Sequence, residues 1–271
     1  MKISDGLGNQ LFQYAIGRMV SIKHSVPLKL DLSWFKATDY RPFQLRKFSI
    51  LFQEATANEI QSVKKKCCFR EPHFEYATQV RKLPQDVYLD GYWQSEKYFS
   101  EIASLIRKEF TLTTRPGFAN QAMARKIQSC QAVSLHIRRG DYANNPVIRS
   151  FHGLCGENYY KRAIETIMAE VEKPHFFIFS DDWDWICQKY NYLKPAATIV
   201  SVNTPAYGYE DLRLMSLCRH HIIANSSFSW WGAWLADTPE QIVIAPKQWF
   251  TKKSIHKTID LCPTDWRRID A

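Results

Sequence analysis

The sequence lacks the features that mark membrane-spanning and secreted proteins. Among its 271 residues, no uninterrupted apolar run approaches the roughly 18 residues of a transmembrane helix. The N-terminal residues, MKISDGLGNQ, contain no apolar signal core. No internal repeat or low-complexity tract stands out. We therefore expect a globular protein of the cytoplasm.

Cysteine shows neither the pattern of a metal site nor that of a disulfide framework. The seven cysteines are an odd number, they are adjacent only at Cys67 and Cys68, and no C-x-x-C spacing occurs. These observations favour reduced thiols, which is the state expected in the cytosol.

Acidic residues are in the minority, since 27 Asp plus Glu face 36 Lys plus Arg for a formal net charge of +9. Such an excess attracts phosphorylated or polyanionic partners and favours peripheral contact with the anionic inner face of a membrane. It fits a sugar nucleotide as well as it fits nucleic acid. Apolar residues at 45% and charged residues at 23% indicate a folded globular protein.

The chain does contain a regular alternation of predicted strands and helices, most clearly in its second half. There, predicted strands cover 132–137, 175–180, 198–202, 220–224 and 241–245, and predicted helices cover 157–171, 183–190, 209–218 and 228–236. The first-half elements are a helix at 11–20 with Asn9 as its cap, a strand at 27–31, a helix at 58–66, a strand at 87–93 and a helix at 102–110. This alternation predicts an α/β fold with parallel sheets. A break at 111–117 predicts a linker between two domains, 1–115 and 116–271.

An apolar strand at 132–137 runs into a charged loop with the sequence HIRRGD. Because side chains alternate along a strand, His136 and Arg138 share one face and Arg139 lies on the other. Ligands bind beyond the carboxyl ends of parallel strands, and a guanidinium presents a fork of donors that matches phosphate oxygens. The motif therefore predicts a phosphate or diphosphate site. A surface ion pair of Arg139 with Asp141 is the plain alternative, but it leaves His136 and Arg138 unexplained.

The glycine loop at 6–10, GLGNQ, lies between the first strand and the first helix, where backbone N–H groups can meet an anion. No G-x-x-x-x-G-K-S/T motif of a P-loop occurs. The loop is also a poor dinucleotide fingerprint, because Leu11 stands where G-x-G-x-x-G needs its third glycine. Asp31 lies near the position of a ribose-binding acid, so an NAD-dependent oxidoreductase stays open. An ordinary flexible turn is the simpler alternative.

A serine-rich segment follows the predicted strand 220–224 and opens a helix. Its hydroxyls can cap the helix, and they can equally bind phosphate oxygens together with the free N–H groups. Without further context, capping alone is the simpler interpretation. The residues are Ser226, Ser227, Phe228 and Ser229.

Two neighbouring patterns have simple structural interpretations. Trp230, Trp231 and Trp234 at helical spacing are more typical of a packed core than of a ligand platform. Asp182 and Asp184 form an Asp-x-Asp triplet that can hold a divalent metal, but acids at a helix start more often act as caps. No metal site is predicted.

Six segments, taken together, are shared with one known family. They are GLGNQLFQYA (6–15), LDGYWQSEKYF (89–99), LHIRRGDY (135–142), FHGLC (151–155), FSDD (179–182) and NSSFSWWGAWL (225–235). In this order they resemble the α-1,2-fucosyltransferases of glycosyltransferase family 11. The resemblance implies a glycosyltransferase B fold, in which two Rossmann-like domains with parallel sheets face each other across a cleft. It also implies GDP-β-L-fucose as donor, a β-galactoside as acceptor, inversion to an α-fucoside, and no cofactor or required metal.

The resemblance also implies roles for individual residues and domains. The domain 116–271 would bind GDP-fucose and 1–115 would lie on the acceptor side. In the former, Arg138 would hold the diphosphate with His136 and Arg139 beside it, and Asp211 is similar to an aspartate that contacts guanine. Phosphate and fucose would be held by Ser226, Ser227, Phe228 and Ser229, and from the other domain by Gly6, Gly8, Asn9 and Gln10. Asp5 departs from the family, because many members have another glycine there.

An inverting displacement also needs a base to remove the proton of the acceptor hydroxyl. The sequence does not single one out among Asp90, Glu96, Asp141 and His152. We take Asp90 and His152, with Arg138, as the predicted catalytic residues. Each candidate base has a plain alternative as a cap or a surface charge.

The sequence leaves two other functions open. One is an NAD-dependent oxidoreductase that uses the glycine loop and Asp31. The other is a basic nucleic-acid-binding protein that uses the lysine run 64–66, which is more often a solvated face. The acceptor glycan is not specified, although Trp34, Tyr92 and Trp93 could stack on a galactose ring.

Overall fold

The computed structural model describes residues 1–251 and 257–270 of the chain. The chain forms two compact units: the first contains Met1–Thr114 with His256–Pro263, and the second contains Arg115–Ile255 with Thr264–Ala271. Strands alternate with helices and pair in parallel in both units, which confirms the predicted α/β class with a parallel sheet. Among the described residues, no helix combines the length and the apolar character needed to cross a bilayer.

The first unit combines long and short helices with very short strands. Its helices are α1 (Leu7–His24), α2 (Ser33–Ala37), α3 (Ala57–Lys66) and α4 (Ala103–Glu109). Its strands are β1 (Lys29–Leu30), β2 (Gln53–Glu54), β3 (Cys68–Arg70) and β4 (Tyr88–Asp90). The helix predicted at 58–66 is confirmed as α3. The sequence does not predict α2, β2 or β3, because segments this short carry no measurable periodicity.

Parallel pairs of strands give the first unit its sheet structure. β1 pairs with β2, and β3 pairs with β4. The N-terminal residues connect the two pairs, because Lys2 forms a parallel bridge with Asp31 and its N–H donates to the Leu89 carbonyl at 3.1 Å. The strand predicted at 87–93 is shorter, because β4 ends at Asp90. Trp93, with a φ of 59°, has a left-handed backbone that a strand does not include.

Helix α1 begins directly after Gly6, which is its N-cap, so the prediction of Asn9 as the cap is wrong. Asn9 lies in the first turn instead, where its Oδ1 accepts a hydrogen bond from Gln94 Nε2 at 2.8 Å. The helix is tied to α4 by a buried hydrogen bond of 2.7 Å, donated by the Tyr14 hydroxyl to Glu109.

The second unit contains the larger sheet. Its helices are α5 (Phe118–Gln128), α6 (Gly140–Asn144), α7 (Pro146–His152), α8 (Glu157–Glu170), α9 (Trp183–Lys189), α10 (Gly208–Ser216) and α11 (Ser227–Ala236). Its strands are β5 (Gln131–Ile137), β6 (Pro174–Ser180), β7 (Ala197–Ile199), β8 (His220–Ile222), β9 (Val243–Pro246) and β10 (Arg267–Ile269). Every element predicted in this half is present, with ends that differ by a few residues.

The six strands are parallel and lie in the order β10-β9-β8-β5-β6-β7. Numbered within the unit, this is the order 6-5-4-1-2-3 of a nucleotide-binding Rossmann fold. The strand order reverses between β5 and β8, which are neighbours in the sheet. Crossovers leave these two strands in opposite directions, so a crevice opens beyond their carboxyl ends.

The alternation predicted for β5 is confirmed by its two buried faces. Leu135 and Ile137 pack in one hydrophobic cluster with side chains of α8 and α9. Ala132 packs in another cluster with side chains of α5 and α10. Because both faces are covered by helices, the strand reads as a continuous apolar run.

Helix α11 supplies an aromatic core to the second unit. Trp230 and Trp231 are fully buried, Trp234 is nearly so, and Trp230 also contacts Trp266. The prediction that these side chains form a core is confirmed.

Four elements of the second unit have no counterpart in the sequence prediction. In α5, only Asn120 and Ile127 are buried, so its apolar stripe is weak. Helices α6 and α7 contain no buried residue, and β10 is an edge strand that is only partly buried. Amphipathic periodicity cannot reveal elements that bury so little.

Candidate active site

The crevice beyond β5 and β8 is lined by the two motifs that the sequence singled out. The HIRRGD loop leaves β5, and the serine-rich segment follows β8 and opens α11. Residues about 90 positions apart in the chain therefore meet at one edge of the sheet. The rings of His136 and Phe228, one from each motif, lie 5.8 Å apart.

Asp181, at the end of β6, fixes the HIRRGD loop. Its Oδ1 accepts hydrogen bonds from the N–H groups of Arg139 at 2.8 Å and Gly140 at 3.0 Å. A Cβ at Gly140 would lie only 2.4 Å from Asp181 Oδ2, so this close approach requires a glycine. No local sequence pattern predicts this role for Asp181, because only the pairing of β5 with β6 brings it to the loop.

Arg138 is held in place by two carboxylates. Its guanidinium forms ion pairs with Asp141 and Asp181, and its side chain is only 22% exposed. Burial disfavours the charge, but the two carboxylates more than offset this and raise the pKa of Arg138 above its ordinary value. The group is thus a fixed cation, and a guanidinium has five N–H donors, so donors remain for a ligand.

Arg139 points elsewhere, as the alternation along β5 predicts. Its Nε donates to Asp182 at 2.9 Å, and its guanidinium lies 4.0 Å from the ring centre of Trp185. Asp182 also caps α9, since it accepts a hydrogen bond from the Trp185 N–H at 3.2 Å. The capping interpretation of Asp182 is confirmed.

His136 is a buried, neutral imidazole at the end of β5. Its side chain is only 6% exposed, and burial lowers its pKa to about 4. Within residues 1–251 and 257–270, its Nδ1 has no hydrogen-bond partner. A buried polar atom without a partner is costly, so a ligand that supplies one would be favoured here.

His152 lies at the end of α7 in the same unit. Its ring stacks on Tyr142 at 4.5 Å between ring centres, and burial lowers its pKa to about 4. Asn225 joins this segment to the start of α11, because its Nδ2 donates to the His152 carbonyl at 2.9 Å and to the Trp249 carbonyl at 3.2 Å. A base with so low a pKa accepts protons weakly at neutral pH.

The start of α11 is open to an anion. In the described part of the chain, the Ser226 hydroxyl makes no cap hydrogen bond, so the interpretation of Ser226 as a simple cap is wrong. Ser227 and Phe228 are partly exposed, whereas Ser229 is 2% exposed and its hydroxyl donates to the Ser226 carbonyl at 3.3 Å. The helix dipole at this N-terminus favours a negative ligand.

Asp211, on α10, is held by a relay of amides. Asn203 Nδ2 donates to Asp211 Oδ1 at 2.8 Å, and Asn203 and Asn120 exchange two hydrogen bonds of 2.8 and 2.9 Å. Burial raises the pKa of Asp211 to about 6, so its carboxylate is ionised at neutral pH but is protonated in mild acid.

The residues predicted from the glycine loop belong to the first unit. A Cβ at Gly6 would have no described atom within 4 Å, so packing does not require glycine there. Gly8 is buried in α1. Gln10 is fully buried and holds the loop that follows, because its Nε2 donates to the Asp5 and Pro42 carbonyls and its Oε1 accepts from the Gln44 N–H.

Asp5 and Asp90 flank this loop. Asp5 has a φ of 64°, a left-handed conformation that favours glycine, which agrees with its departure from the family pattern. Asp90, at the end of β4, pairs with Lys2 at 3.0 Å and with Arg70 at 3.6 Å. Each oxygen of the Asp90 carboxylate is therefore engaged by a cation.

Glu71 is a candidate that the sequence analysis missed. Both its oxygens accept backbone N–H groups, from Tyr92 at 2.6 Å and from Trp93 at 2.9 Å. Burial raises its pKa to about 7. In the sequence, Glu71 could be noticed only as an acid between the lysine run 64–66 and the segment LDGYWQSEKYF. The strands in this stretch are too short to predict, so nothing placed it at a sheet edge.

The described residues contain no group of three or more His, Cys, Asp or Glu side chains placed to hold a metal ion. The Asp-x-Asp triplet is accounted for in part by the cap at Asp182. Positive charge in the crevice of the second unit comes from Arg138 and from the start of α11.

Comparison with known proteins gives a consistent result. The family model described as glycosyl transferase family 11 matches residues 7–270. An α-1,2-colitosyltransferase of Escherichia coli is 35% identical over 99% of this chain and 98% of its own length. A galactoside α-(1,2)-fucosyltransferase 1 of Aotus azarae is 28% identical, over 55% of this chain and 42% of its own length.

Among solved structures, NodZ α-1,6-fucosyltransferase soaked with GDP-fucose superposes with a TM-score of 0.53. The superposition covers 90% of this chain and 93% of that one, at 14% sequence identity. At this identity the likeness concerns the fold alone.

Proposed function

The chain belongs to glycosyl transferase family 11, and on this premise we propose that it is an inverting galactoside α-1,2-fucosyltransferase. In this proposal L-fucose passes from GDP-β-L-fucose to the 2-hydroxyl of a terminal β-galactoside in a cell-surface oligosaccharide or glycolipid. Two Rossmann-like domains that face each other across a cleft, with peripheral contact to an anionic membrane, are part of the same proposal.

The observation that carries this proposal is the fixed guanidinium at the point where the strand order reverses. Arg138 is clamped by Asp141 and Asp181 beside the open start of α11. Nucleotides bind at this point in folds with this strand order, with their phosphates at a helix N-terminus. We therefore assign the diphosphate to Arg138, Ser226 and Ser227, with Arg139 fixing the loop.

The chemistry needs a cation at this place. When the bond from fucose C1 to the phosphate oxygen breaks, negative charge grows on the β-phosphate of GDP. A preorganised guanidinium stabilises that charge without a metal, and such donors are worth about 10² to 10³ in rate. His136 is neutral, and its Nδ1 has no partner among the described residues, so it can form a hydrogen bond with GDP-fucose.

The base of the donor is assigned to Asp211. A carboxylate matches the two N–H donors on one edge of guanine, and adenine offers no such pair to it. Asn203 keeps one oxygen of Asp211 in place. Phe228, beside the ring of His136, gives an apolar wall to the same crevice.

A second candidate is transfer of colitose, because the α-1,2-colitosyltransferase matches almost the whole chain. Colitose is fucose without its 3-hydroxyl. A site that hydrogen-bonds this hydroxyl rejects the sugar that lacks it by about 10⁴ or more, whereas a site that ignores it accepts both.

The test is a transfer assay with purified protein, methyl β-D-galactoside as the acceptor probe, and GDP-fucose or GDP-colitose as donor, with and without EDTA. We expect an α-1,2-linked fucoside, identified by NMR, at a rate that EDTA leaves unchanged. Transfer of colitose alone would replace fucose as the donor sugar. Absence of transfer from both donors contradicts the proposal, and loss of activity in EDTA contradicts its metal independence.

A further inference from the structure

The first unit carries a carboxylate that no role above uses. We propose that Glu71 is the general base that removes the proton from the acceptor hydroxyl, and that Tyr92 and Phe74 form the aromatic face against which the acceptor galactose lies. This inference rests on the proposed fucosyl transfer and names the acceptor site for that reaction.

Glu71 is held at the carboxyl edge of the short parallel strands. It follows β3 directly, and it faces the turn after β4, where the N–H groups of Tyr92 and Trp93 each donate to one of its oxygens. A Cβ at Gly91 would lie 2.4 Å from Glu71 Cβ, so the turn closes on the acid as tightly as glycine allows. Each carboxylate oxygen has two lone pairs, so one on each remains for an acceptor hydroxyl.

Its proton affinity suits the role. Two N–H donors stabilise the charged form, yet burial outweighs them and raises the pKa of Glu71 to about 7. The titratable groups coupled to it are the phenols of Tyr92 and Tyr98, whose own pKa values burial raises, so both are neutral near pH 7. Asp5 and Asp90 act on Tyr92 in turn. A base poised near the working pH gives the most effective proton transfer.

The aromatic face lies on the same turn. Tyr92 is 37% exposed, and its ring stacks on Phe74 with centres 6.4 Å apart and planes 10° apart. Its hydroxyl donates to Asp5 Oδ2 at 2.9 Å, which fixes the ring at its far end. The apolar C–H face of a galactose ring packs well on such a surface, while its hydroxyls reach the neighbouring carboxylate.

The reaction step balances without a further reactant. The acceptor 2-hydroxyl gives its proton to a Glu71 oxygen, and the freed electron pair forms the new bond to fucose C1. The bond from C1 to the phosphate oxygen breaks, and GDP leaves with its electron pair. Glu71 then returns the proton to water.

Three of the four candidate bases considered from the sequence suit this role less well. Asp90 is paired with two cations, and Asp141 is paired with Arg138. His152 is held at a pKa of about 4 by burial. Glu71 takes part in none of these ion pairs, and its pKa of about 7 lies near neutrality.

The test compares Glu71→Gln with the matched control Glu75→Gln, which makes the same change four residues away. The assay uses GDP-fucose and methyl β-D-galactoside, with GDP affinity measured by calorimetry. With GDP-fucose saturating at every pH, so that the titration of Asp211 does not contribute, we expect the wild-type kcat/KM for the acceptor to fall below an apparent pKa near 7, because the protonated acid cannot act as a base. Glu71→Gln should lose about 10² to 10⁴ in kcat and lose this acidic limb, with GDP affinity within twofold of wild type. Glu75→Gln should keep both.

A merely structural role gives a different result. If Glu71 only fastens the turn, Glu71→Gln lowers the melting temperature but keeps the acidic limb and at least a third of kcat, which overturns the inference. If Glu71→Gln does not fold, Glu71→Asp decides: a limb moved to lower pH supports the role, and an unmoved limb overturns it. A wild type that transfers no fucose instead refutes the proposed function itself.

Discussion

The candidate residues of the second unit stand at the end of a six-stranded sheet, whereas those of the first unit stand on strands of two or three residues. In the second unit, long strands buried on both faces set the position of Arg138, and one carboxylate, Asp181, fixes the loop. In the first unit, where the strands are short, side-chain hydrogen bonds hold the turns in place: Glu71 holds one turn and Gln10 holds another.

This difference matches the two tasks we assign. Every transfer uses the same GDP diphosphate, which must lie in the same position, and a rigid sheet edge fixes that position. The acceptor side needs a surface whose turns can vary while the scaffold stays, and loops on short strands allow that. Substitutions in the second unit should therefore act on GDP affinity and on the departure of GDP, and substitutions in the first should act on the binding and deprotonation of the acceptor.

Apart from Glu71→Gln, the largest effect should come from Arg138→Lys. An ammonium cannot reproduce the guanidinium fork, so we expect kcat to fall about 10² to 10³-fold. Arg139→Lys is the matched control, and its effect should be smaller, because Arg139 is engaged with Asp182 and Trp185. Steady-state kinetics with GDP-fucose measure both. Equal losses in the two variants would contradict the prediction, drawn from side-chain alternation along β5, that Arg138 and Arg139 have different roles.

Next in size is the pair Gly140→Ala and Gly91→Ala, one in each unit. Each new Cβ would lie 2.4 Å from an atom of an acidic side chain, so each should lower the free energy of unfolding by about 1 to 3 kcal/mol in urea titrations. Only Gly140→Ala should also weaken GDP binding, and only Gly91→Ala should raise the acceptor KM. Gly117→Ala, with no described atom within 4 Å of its Cβ, is the control. A loss of GDP affinity in Gly91→Ala would contradict the assignment of donor binding to the second unit and acceptor binding to the first.

Asp211 should give GDP binding a pH dependence. Since burial raises its pKa to about 6, the carboxylate that accepts the guanine N–H groups is lost as the pH falls through 6. Calorimetry should show GDP affinity falling about tenfold between pH 7.5 and 5. Asp211→Asn should bind about tenfold more weakly at pH 7.5 and lack this dependence. A wild-type affinity that does not change with pH would refute the assignment.

The smallest effect should come from Tyr92→Ala. Loss of the aromatic face should raise the KM for methyl β-D-galactoside about three- to tenfold, in line with about 0.5 to 1.5 kcal/mol for an aromatic contact. The donor KM and the affinity for GDP should stay within twofold of wild type. An acceptor KM that does not change would remove Tyr92 from the acceptor site.

The sequence predicts the second unit better than the first for a physical reason. Periodicity reports burial, and β5, β6 and α8 are long and deeply buried, so their motifs could be placed on a sheet edge. The loop clamp by Asp181 and the turn fastened by Glu71 are bonds between segments about 40 and 20 residues apart. No local pattern encodes such bonds. At Ser226 a local pattern is present but misleading: serine is typical of helix caps, yet its hydroxyl makes no cap hydrogen bond in the described part of the chain.

The central claim is that the donor diphosphate binds beyond β5 and β8 in the second unit. It is tested most directly by a crystal structure of the protein with GDP. We expect the β-phosphate within hydrogen-bond distance of the Arg138 guanidinium and of the first turn of α11, with guanine on the Asp211 carboxylate. GDP bound elsewhere, or bound with the Arg138 guanidinium in contact only with Asp141 and Asp181, would contradict the account.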